Sequence, residues 1–398
     1  MGDLTLDTAR PHMTALADEL SKAGAIRTPQ WHDTFAAVPR HVLVPTWFEQ
    51  EQNAKGITVW RQQRATADER YLAAAYRDVT LVTALDPATS EQVDDTAWTG
   101  FPTSSSTLPS LMAGMLEGLS VRTGHRVLEI GTGTGYNAAL LCARLGDRLV
   151  HSIDVDPDLV DTARTRLARI GYTPGLTTGD GCTALPDLSF ERIIATCSVP
   201  GIPQEWIEHA KPGAVIVADV ALGIEGGLVR LTVDEDRRAI GHFTTTAGRF
   251  MPARSDPRAY PQPHRPQRAP EAESRPTTLT APEIQSHYTL RLLLALQLPE
   301  TELVYDIDDA TGAMSIQLQR SDGAWARVPF IFNAEPTVTY GGDPNLWKQA
   351  ETTWHWWKAH NRPAHDQFGY VREANGDAAV WHIPDGTRWH LTTRGRPR

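Results

Sequence analysis

The sequence is poor in cysteine, has no long apolar run and carries no excess of basic residues. Its cysteines, Cys142, Cys182 and Cys197, offer neither a disulfide framework nor paired metal-ligand spacing, which favours a reducing cytoplasmic location. No run of about eighteen apolar residues is present, so we expect no membrane span. The first residues also lack the apolar stretch of a secretory signal. A formal net charge of -10 disfavours nucleic acid as a partner, because phosphates require a concentrated basic face.

The histidines near the C-terminus do not predict a metal site. His355, His360 and His365 follow one another at five-residue intervals, whereas a helix brings residues three or four apart onto one face. Pro363 also interrupts the helical pattern between them. We therefore expect these side chains to pack or to face solvent, and we expect no metal.

The chain divides by composition into four parts. Residues 1–102 are mixed and begin with a helical pattern, and residues 103–250 alternate between short apolar strands and amphipathic helices. Residues 251–282 are rich in proline and arginine and are expected to form a linker. Residues 283–398 hold seven of the twelve tryptophans and predict a small α+β domain. The alternation predicts an α/β fold with a doubly wound parallel sheet, extended at both ends by the other parts.

The tryptophan-rich C-terminal part has two interpretations. An aromatic stripe is more often part of a core than a binding surface. Aromatic side chains also anchor interfaces well, so this part is expected to recognise a peptide.

A glycine-rich turn is the most informative segment. Gly131, Gly133 and Gly135 form a G-x-G-x-G pattern between a predicted strand and a predicted helix, where the backbone can approach a ligand closely. Sites for nicotinamide dinucleotides share this logic, but their glycine spacing is different. The strand before the turn ends in Glu129, and a carboxylate there suits a cationic amino-acid ligand better than a pyrophosphate.

Two further carboxylates follow the next strand ends. Asp154 stands about twenty residues after the turn, where a carboxylate can bind ribose hydroxyls, and Asp180 can reach an adenine amino group. Together with Glu129 they favour S-adenosyl-L-methionine as the cofactor. The predicted cofactor-binding residues are Glu129, Gly131, Thr132, Gly133, Gly135, Asn137, Asp154, Val155, Asp180 and Gly181.

A run of hydroxyl side chains covers residues 103–107, directly before an apolar segment that is predicted to be a helix. Serine and threonine are favoured at helix N-caps, because their oxygens accept hydrogen bonds from the first backbone N–H groups. The run is therefore expected to begin the helix.

Several segments resemble protein L-isoaspartate O-methyltransferases. The similar segments, over residues from about 30 to 225, are FAAVPRHVLVP (35–45), AAYRD (74–78), VLEIGTGTGYNAALL (127–141) and the strands within 190–220. The resemblance implies a doubly wound methyltransferase fold and methyl transfer to a carboxylate.

The resemblance also assigns an active-site hydroxyl. The family has a serine shortly before a proline, and with Pro109 as the anchor that serine falls on Thr107, with Ser106 as the alternative. The substrate-binding residues implied in the same way are Ser105, Pro109, Tyr76 and Met251.

Threonine in place of serine, the greater length and the tryptophan-rich tail depart from the repair enzymes. These features look like longer homologues encoded with ribosomally made peptides, of the graspetide, lanthipeptide or lasso type, with graspetides ranked first. That resemblance implies methylation of an ordinary aspartate in a precursor peptide, expected to be macrocyclised, and closure of the ester to an aspartimide, from which isoaspartate can form.

Three alternatives stay open at this point. One is a repair enzyme that acts on isoaspartate, and another is a methyltransferase for small molecules or nucleic acid. The third is a scaffold that holds the cofactor without catalysis, against which the retained carboxylates at Glu129, Asp154 and Asp180 argue.

Overall fold

A computed structural model describes residues 6–52, 58–65, 69–256, 265–267, 272–307, 312–331 and 335–391. The chain divides into two compact units. The first unit comprises Met1–Cys197, Pro203–Ala218 and Phe250–Tyr260, and the second comprises Ser198–Ile202, Asp219–Arg249 and Pro261–Arg398. The four-part domain division stays a prediction.

The helices are numbered in chain order. They are α1 (Leu6–Lys22), α2 (Pro29–Ala37), α3 (Arg40–Leu43), α4 (Glu69–Ala75), α5 (Pro109–Leu119), α6 (Tyr136–Leu145), α7 (Pro157–Arg169), α8 (Gln204–His209), α9 (Ala281–Ser286), α10 (Tyr288–Gln297) and α11 (Asn345–Ala359). Short 3-10 turns lie at Asp147–Leu149 and His365–Gln367.

The strands follow in the same order. They are β1 (Thr46–Gln52), β2 (Thr58–Arg64), β3 (Leu81–Leu85), β4 (Gln92–Asp94), β5 (Ala97–Trp98), β6 (Pro102–Ser106), β7 (Val127–Ile130), β8 (Val150–Asp154), β9 (Gly175–Thr178), β10 (Phe190–Val199), β11 (Ala210–Ala221), β12 (Gly226–Val233), β13 (Ala239–Phe243), β14 (Glu273–Pro276), β15 (Thr301–Ile307), β16 (Met314–Arg320), β17 (Trp325–Pro329), β18 (Thr337–Gly341), β19 (Phe368–Arg372), β20 (Ala378–His382) and β21 (Arg388–Leu391).

The first unit contains the predicted parallel sheet. Its strands lie in the order β11-β10-β7-β8-β9, and β10, β7, β8 and β9 pair in parallel. All four residues of β7 are buried, as expected for a central parallel strand with helices on both faces. The strand order reverses between β7 and β10, and doubly wound folds bind ligands at such a switch point. The predicted α/β fold class is confirmed.

An antiparallel sheet occupies the N-terminal part of the first unit, in the order β4-β5-β2-β1-β3-β6. Its last strand, β6, contains most of the hydroxyl run, so the expectation that this run caps a helix was wrong. The run pairs with β3, with Ser106 opposite Leu81 and Ser105 opposite Val82. Alternating exposure of its small side chains suits an edge strand, and α5 begins only at Pro109.

The second unit holds five strands that pair antiparallel in the order β21-β20-β19-β13-β12, and an antiparallel sheet in the order β14-β18-β17-β16-β15. β12 and β13 form an antiparallel hairpin, and α11 is the longest helix of this unit among the described residues. Two short helices, α9 and α10, follow each other directly and are separated by His287, which has an extended backbone.

The predicted linker, 251–282, lies partly outside the described residues. Its stretch Glu273–Pro276 forms β14 and pairs with β18. The Ser274 and Thr339 hydroxyls hydrogen-bond at 3.0 Å, and Arg275 pairs with Glu351 at 2.8 Å. These contacts hold this part of the segment in a sheet.

Membrane-spanning helices and metal clusters are both absent from the described ranges. No helix in them combines the length and the apolar character needed to cross a membrane. They also contain no group of three or more histidine, cysteine, aspartate or glutamate side chains arranged to hold a metal ion.

Candidate active site

The glycine turn connects β7 to α6 in a backbone conformation that excludes larger residues at its first position. Gly131 has a φ of +94°, and a Cβ there would lie 2.6 Å from the Thr196 hydroxyl. Thr196 belongs to β10, the neighbour of β7 across the switch point, and its hydroxyl donates to the Gly131 carbonyl at 2.6 Å. Gly135 has a φ of +84° and immediately precedes α6. The turn is therefore closed tightly against β10.

Glu129 lies at the centre of a buried polar cluster beside this turn. Its carboxylate accepts hydrogen bonds from the Asn137 amide at 2.8 Å and from the Ser152 hydroxyl at 2.5 Å. The hydroxyls of Ser152 and Thr132 are 2.6 Å apart. The cluster therefore joins β7, the turn, α6 and β8, and it brings together three of the predicted cofactor residues.

The cluster retains hydrogen-bonding capacity for a ligand. Asn137 is only 7% exposed, and its Oδ1 has no hydrogen-bond partner among the residues that the structure describes. A buried acceptor normally has a partner, because losing its hydration without one costs free energy. An unpaired amide oxygen beside a carboxylate fits a protonated amine, and S-adenosyl-L-methionine carries one. The residues present therefore fit the predicted cofactor.

Asp154 ends β8 and fixes the other side of the turn. Its carboxylate accepts hydrogen bonds from the backbone N–H of Gly133 at 2.9 Å and of Asp156 at 3.1 Å. Burial raises the pKa of Asp154 above its ordinary value, while these bonds and the charge of Arg254 oppose the rise. The neighbouring Val155 is half-buried. Asp154 thus lies at the end of β8, and its role towards a ribose stays a prediction.

Asp180 and Gly181 follow β9. Asp180 accepts hydrogen bonds from the Cys182 N–H at 2.9 Å and the Thr183 hydroxyl at 3.0 Å. The Gly181 carbonyl accepts from the Trp206 indole at 2.7 Å, and a Cβ on Gly181 would lie 2.7 Å from Ile130. This close approach brings the segment against the end of β7.

The predicted acceptor hydroxyls lie at the end of β6, over a buried arginine. Arg40 has no exposed surface, and its guanidinium donates to the Ser106 carbonyl, the Ser106 hydroxyl and the Thr107 carbonyl, each at 3.4 Å. Thr107 is half-buried, and its hydroxyl makes no hydrogen bond in the described part of the chain. The Thr107 hydroxyl is therefore available to a ligand, whereas the Ser106 hydroxyl has a protein partner.

The remaining predicted substrate-binding residues differ in how far they are buried. Tyr76 is 5% exposed and its hydroxyl bonds to His41 Nδ1 at 2.6 Å, so it lies inside the fold. Pro109 is buried as the first residue of α5, and Ser105 is half-buried in β6. Met251 is half-buried in the first unit. Their roles stay predictions.

Sequence reasoning missed the residues that hold these parts in place. Asp78 accepts a hydrogen bond from the Ser110 N–H at 2.8 Å, and Thr80 accepts one from the Leu108 N–H at 3.2 Å. The side chains of Asp78 and Thr80, from the segment before β3 in the chain, therefore cap the start of α5, and the hydroxyl run does not. Arg40 and Asp78 both lie in segments that carry the family resemblance. For Arg40 the available signal was a charged residue inside an apolar segment between Pro39 and Pro45.

The buried Glu129 predicts a pH-dependent stability. Burial raises its pKa from 4.5 to about 7, although the hydrogen bonds from Ser152 and Asn137 oppose the rise. Between these values the folded protein keeps a proton that the unfolded chain releases, so stability falls as pH rises from about 4.5 to about 7. Without cofactor, we expect this group to cost on the order of 1–3 kcal/mol of unfolding free energy across that range.

Denaturant unfolding of the wild type and of Glu129→Gln between pH 5 and pH 8 measures this contribution. Glutamine keeps the size and an acceptor but cannot ionise, so its curve should lack the Glu129 component. Equal pH slopes for the two proteins would refute the assignment.

The chain is similar to known proteins, and the matching family model covers the glycine turn, Asp154, Asp180 and Thr107. The profile of the protein-L-isoaspartate(D-aspartate) O-methyltransferase family matches residues 89–256. A protein-L-isoaspartate O-methyltransferase 1 from Archaeoglobus fulgidus is 30% identical over 240 residues, which cover 60% of this chain and 88% of the relative. A protein-L-isoaspartate O-methyltransferase from Methanoculleus marisnigri is 41% identical over 131 residues, which cover 32% of this chain and 59% of the relative.

The match to the Methanoculleus protein thus spans less than two thirds of that relative's length. A solved structure of a protein-L-isoaspartate O-methyltransferase aligns with a TM-score of 0.50 and 18% identity, and it covers 92% of this chain and 98% of its own. This likeness shows a shared fold. It covers 92% of this chain, so the shared fold is not confined to the segment that the family model matches.

Proposed function

Because the chain belongs to the protein-L-isoaspartate(D-aspartate) O-methyltransferase family, we propose that it methylates a carboxylate of an aspartate-derived residue in a peptide. Family membership confirms S-adenosyl-L-methionine as the predicted cofactor. When bound, this cofactor supplies an electrophilic methyl group on a sulfonium sulfur. Glu129, Asn137 and Asp154 are proposed to hold it against the glycine turn.

The observation that carries this proposal is the unpartnered hydroxyl of Thr107. It lies at the end of β6, over Arg40, whose guanidinium carbon is 5.6 Å from the centre of the Tyr136 ring at the start of α6. The acceptor segment and the helix that follows the glycine turn therefore meet across one side chain. The Thr107 hydroxyl can donate a hydrogen bond to a carboxylate oxygen of the peptide and orient it.

The reaction does not need a general base. An aspartate has an ordinary pKa of about 3.9, so at neutral pH it is already a nucleophilic anion. The protein has to align the carboxylate oxygen with the methyl carbon and exclude water, and such positioning can lower a barrier by about 7–11 kcal/mol. Thr107 is assigned this orienting role, and Ser106 is the alternative.

We further propose that the acceptor is an ordinary aspartate in a ribosomally made, macrocyclised precursor peptide. A carboxylate oxygen bonds to the methyl carbon as the carbon–sulfur bond breaks, giving the methyl ester and S-adenosylhomocysteine. The backbone N–H of the next residue then attacks the ester carbonyl, and methanol leaves with its proton. The product is an aspartimide, one water lighter than the starting peptide, and its hydrolysis can give isoaspartate.

Two features support this acceptor. Threonine replaces the serine of the family pattern at position 107, and its extra methyl group restricts the side chain and changes the space beside the hydroxyl. The second unit also carries Trp356, Trp381 and Trp389, which are half-buried and are suited to anchoring a peptide. The other four tryptophans of this unit, Trp325, Trp347, Trp354 and Trp357, are buried in its core. A graspetide precursor is the first choice among such peptides.

Repair of isoaspartate is the second candidate. The 88% coverage of the Archaeoglobus relative favours it, because that protein carries the name of the repair activity. Both candidates use the same cofactor and the same orienting hydroxyl. They differ only in which carboxylate reaches Thr107.

One experiment separates the candidates with three synthetic peptides of the same sequence. The first is linear with Asp-Gly, the second is linear with isoAsp-Gly, and the third is closed by a side-chain ester or amide and contains Asp-Gly. Mass spectrometry after incubation with the protein and S-adenosyl-L-methionine follows each peptide. We expect the cyclised aspartyl peptide to gain one methyl group and then to show a net loss of one water.

Methylation of only the isoaspartyl peptide would instead establish the repair reaction. If none of the peptides is methylated and no S-adenosylhomocysteine forms, the proposed carboxyl methyltransferase activity is wrong. A protein that binds S-adenosylhomocysteine yet gives this result would fit the scaffold alternative.

A further inference from the structure

Arg40 is a fully buried cation that no carboxylate contacts through a hydrogen bond in the described chain. Its Nη1 donates to the carbonyls of Ala75 at 3.2 Å and Arg77 at 2.9 Å, and its Nη2 donates to the carbonyl of Val79 at 3.1 Å. The same Nη2 also faces Ser106 and the Thr107 carbonyl. One guanidinium therefore ties the segment 75–79 to the end of β6.

The other face of Arg40 meets the cofactor side of the site. Its guanidinium carbon lies 5.6 Å from the centre of the Tyr136 ring, and Tyr136 is the first residue of α6, directly after Gly135. Tyr136 is 3% exposed, so its ring is fixed by the surrounding core. Burial lowers the pKa of Arg40 to about 10, which leaves the side chain charged at neutral pH.

We infer that Arg40 is a positioning residue that sets the distance between the acceptor hydroxyl at Thr107 and the start of α6. This inference rests on the proposed methyl transfer. The planar fork of arginine can serve several carbonyls at once, whereas a lysine ammonium has three donors and no plane to stack on a ring. Loss of the Arg40 guanidinium should let the end of β6 move relative to the glycine turn. The sites for the cofactor and for the peptide should both remain.

Arg40→Lys tests the inference, with Arg192→Lys as the matched control. Arg192 is also buried, lies in β10 of the same unit, and donates to the backbone carbonyls of Ser120 and Glu191. It is not part of the proposed site. Both variants lose one buried arginine fork, so both should lose a similar amount of thermal stability.

Turnover separates the two variants. With whichever of the three synthetic peptides the wild type methylates, we expect Arg40→Lys to lower kcat about 10- to 100-fold, because a small misplacement of reacting groups is costly. The KM for that peptide and the Kd for S-adenosylhomocysteine should stay within about twofold, since binding is retained. Arg192→Lys should keep its kcat within about threefold.

Hydrogen exchange gives a readout that does not depend on activity. In Arg40→Lys, the amides of Leu108 and Ser110, which donate to Thr80 and Asp78, should exchange faster than in the wild type, while those of α7 should not change. If Arg40→Lys does not fold, Tyr136→Leu removes the ring and leaves every hydrogen bond of Arg40 in place. Its kcat should fall about tenfold with an unchanged KM, while Tyr136→Phe keeps wild-type kcat.

Wild-type kcat in Arg40→Lys, or an equal kcat loss in Arg192→Lys, overturns the inference while the proposed function stands. Unchanged exchange at Leu108 and Ser110 overturns it as well. If the wild type methylates none of the peptides, the proposed function itself is wrong, and the wild-type assay shows this without any variant.

Discussion

Gly131→Ala is expected to abolish measurable binding of S-adenosylhomocysteine and to destabilise the fold. The new Cβ would lie 2.6 Å from the Thr196 hydroxyl, which itself bonds to the Gly131 carbonyl. The φ of +94° adds backbone strain that only glycine avoids. We expect about 2–3 kcal/mol of lost unfolding free energy, since both a clash and an unfavourable backbone conformation are introduced. Calorimetric titration and thermal unfolding measure the two effects.

Gly146→Ala is the matched control for backbone strain. Gly146 has a φ of +86° and lies at the end of α6 away from the turn, and no described atom lies within 4 Å of the position that its Cβ would take. Its variant should lose stability but bind S-adenosylhomocysteine like the wild type. Wild-type binding in Gly131→Ala would remove the turn from the proposed cofactor site.

Thr107→Ala should reduce methyl transfer strongly without affecting the cofactor. The hydroxyl has no hydrogen-bond partner in the described part of the chain, so its removal leaves no buried group unpaired. We expect kcat/KM for the peptide to fall about 10- to 100-fold, because the acceptor carboxylate loses its orienting donor. The Kd for S-adenosylhomocysteine should not change, and Tm should stay within about 2 °C. Steady-state kinetics, titration and thermal unfolding test these three expectations.

Thr107→Ser is the matched control, because it keeps the hydroxyl and restores the residue of the family pattern. It should retain activity with at least one of the three peptides, and a shift in preference towards the isoaspartyl peptide would show that the threonine methyl group selects the acceptor. Ser106→Ala tests the alternative residue and removes an oxygen that faces Arg40. Full activity in Thr107→Ala together with a loss in Ser106→Ala would move the orienting role to Ser106.

The local parts of the site could be predicted from the sequence, because they depend on residues that are adjacent in the chain. A short apolar strand, three glycines at alternate positions and an amphipathic helix predict a turn at residues 131–135, and the structure has it there. Asp154 could be placed at a strand end by the same reasoning, because each parallel strand of this sheet ends at the same edge.

The contacts between segments that are far apart in the chain could not be predicted from the sequence. Nothing near Arg40 in the sequence indicates that its guanidinium reaches residues 106 and 107, because that contact depends on how the two segments pack. The hydroxyl run has the composition of a helix cap, yet pairing with β3 makes it a strand, and Asp78 caps the helix instead. In this segment long-range pairing overrides the local preference.

The most direct measurement uses cofactor that is isotopically labelled in its methyl group, together with the three peptides and a fourth in which asparagine replaces the aspartate. Methyl transfer to an aspartate-derived carboxylate predicts label on at least one of the three acidic peptides, release of that label as methanol under mild base, and no label on the asparagine peptide. Base-stable label, or label on the asparagine peptide, would contradict methyl transfer to an aspartate-derived carboxylate.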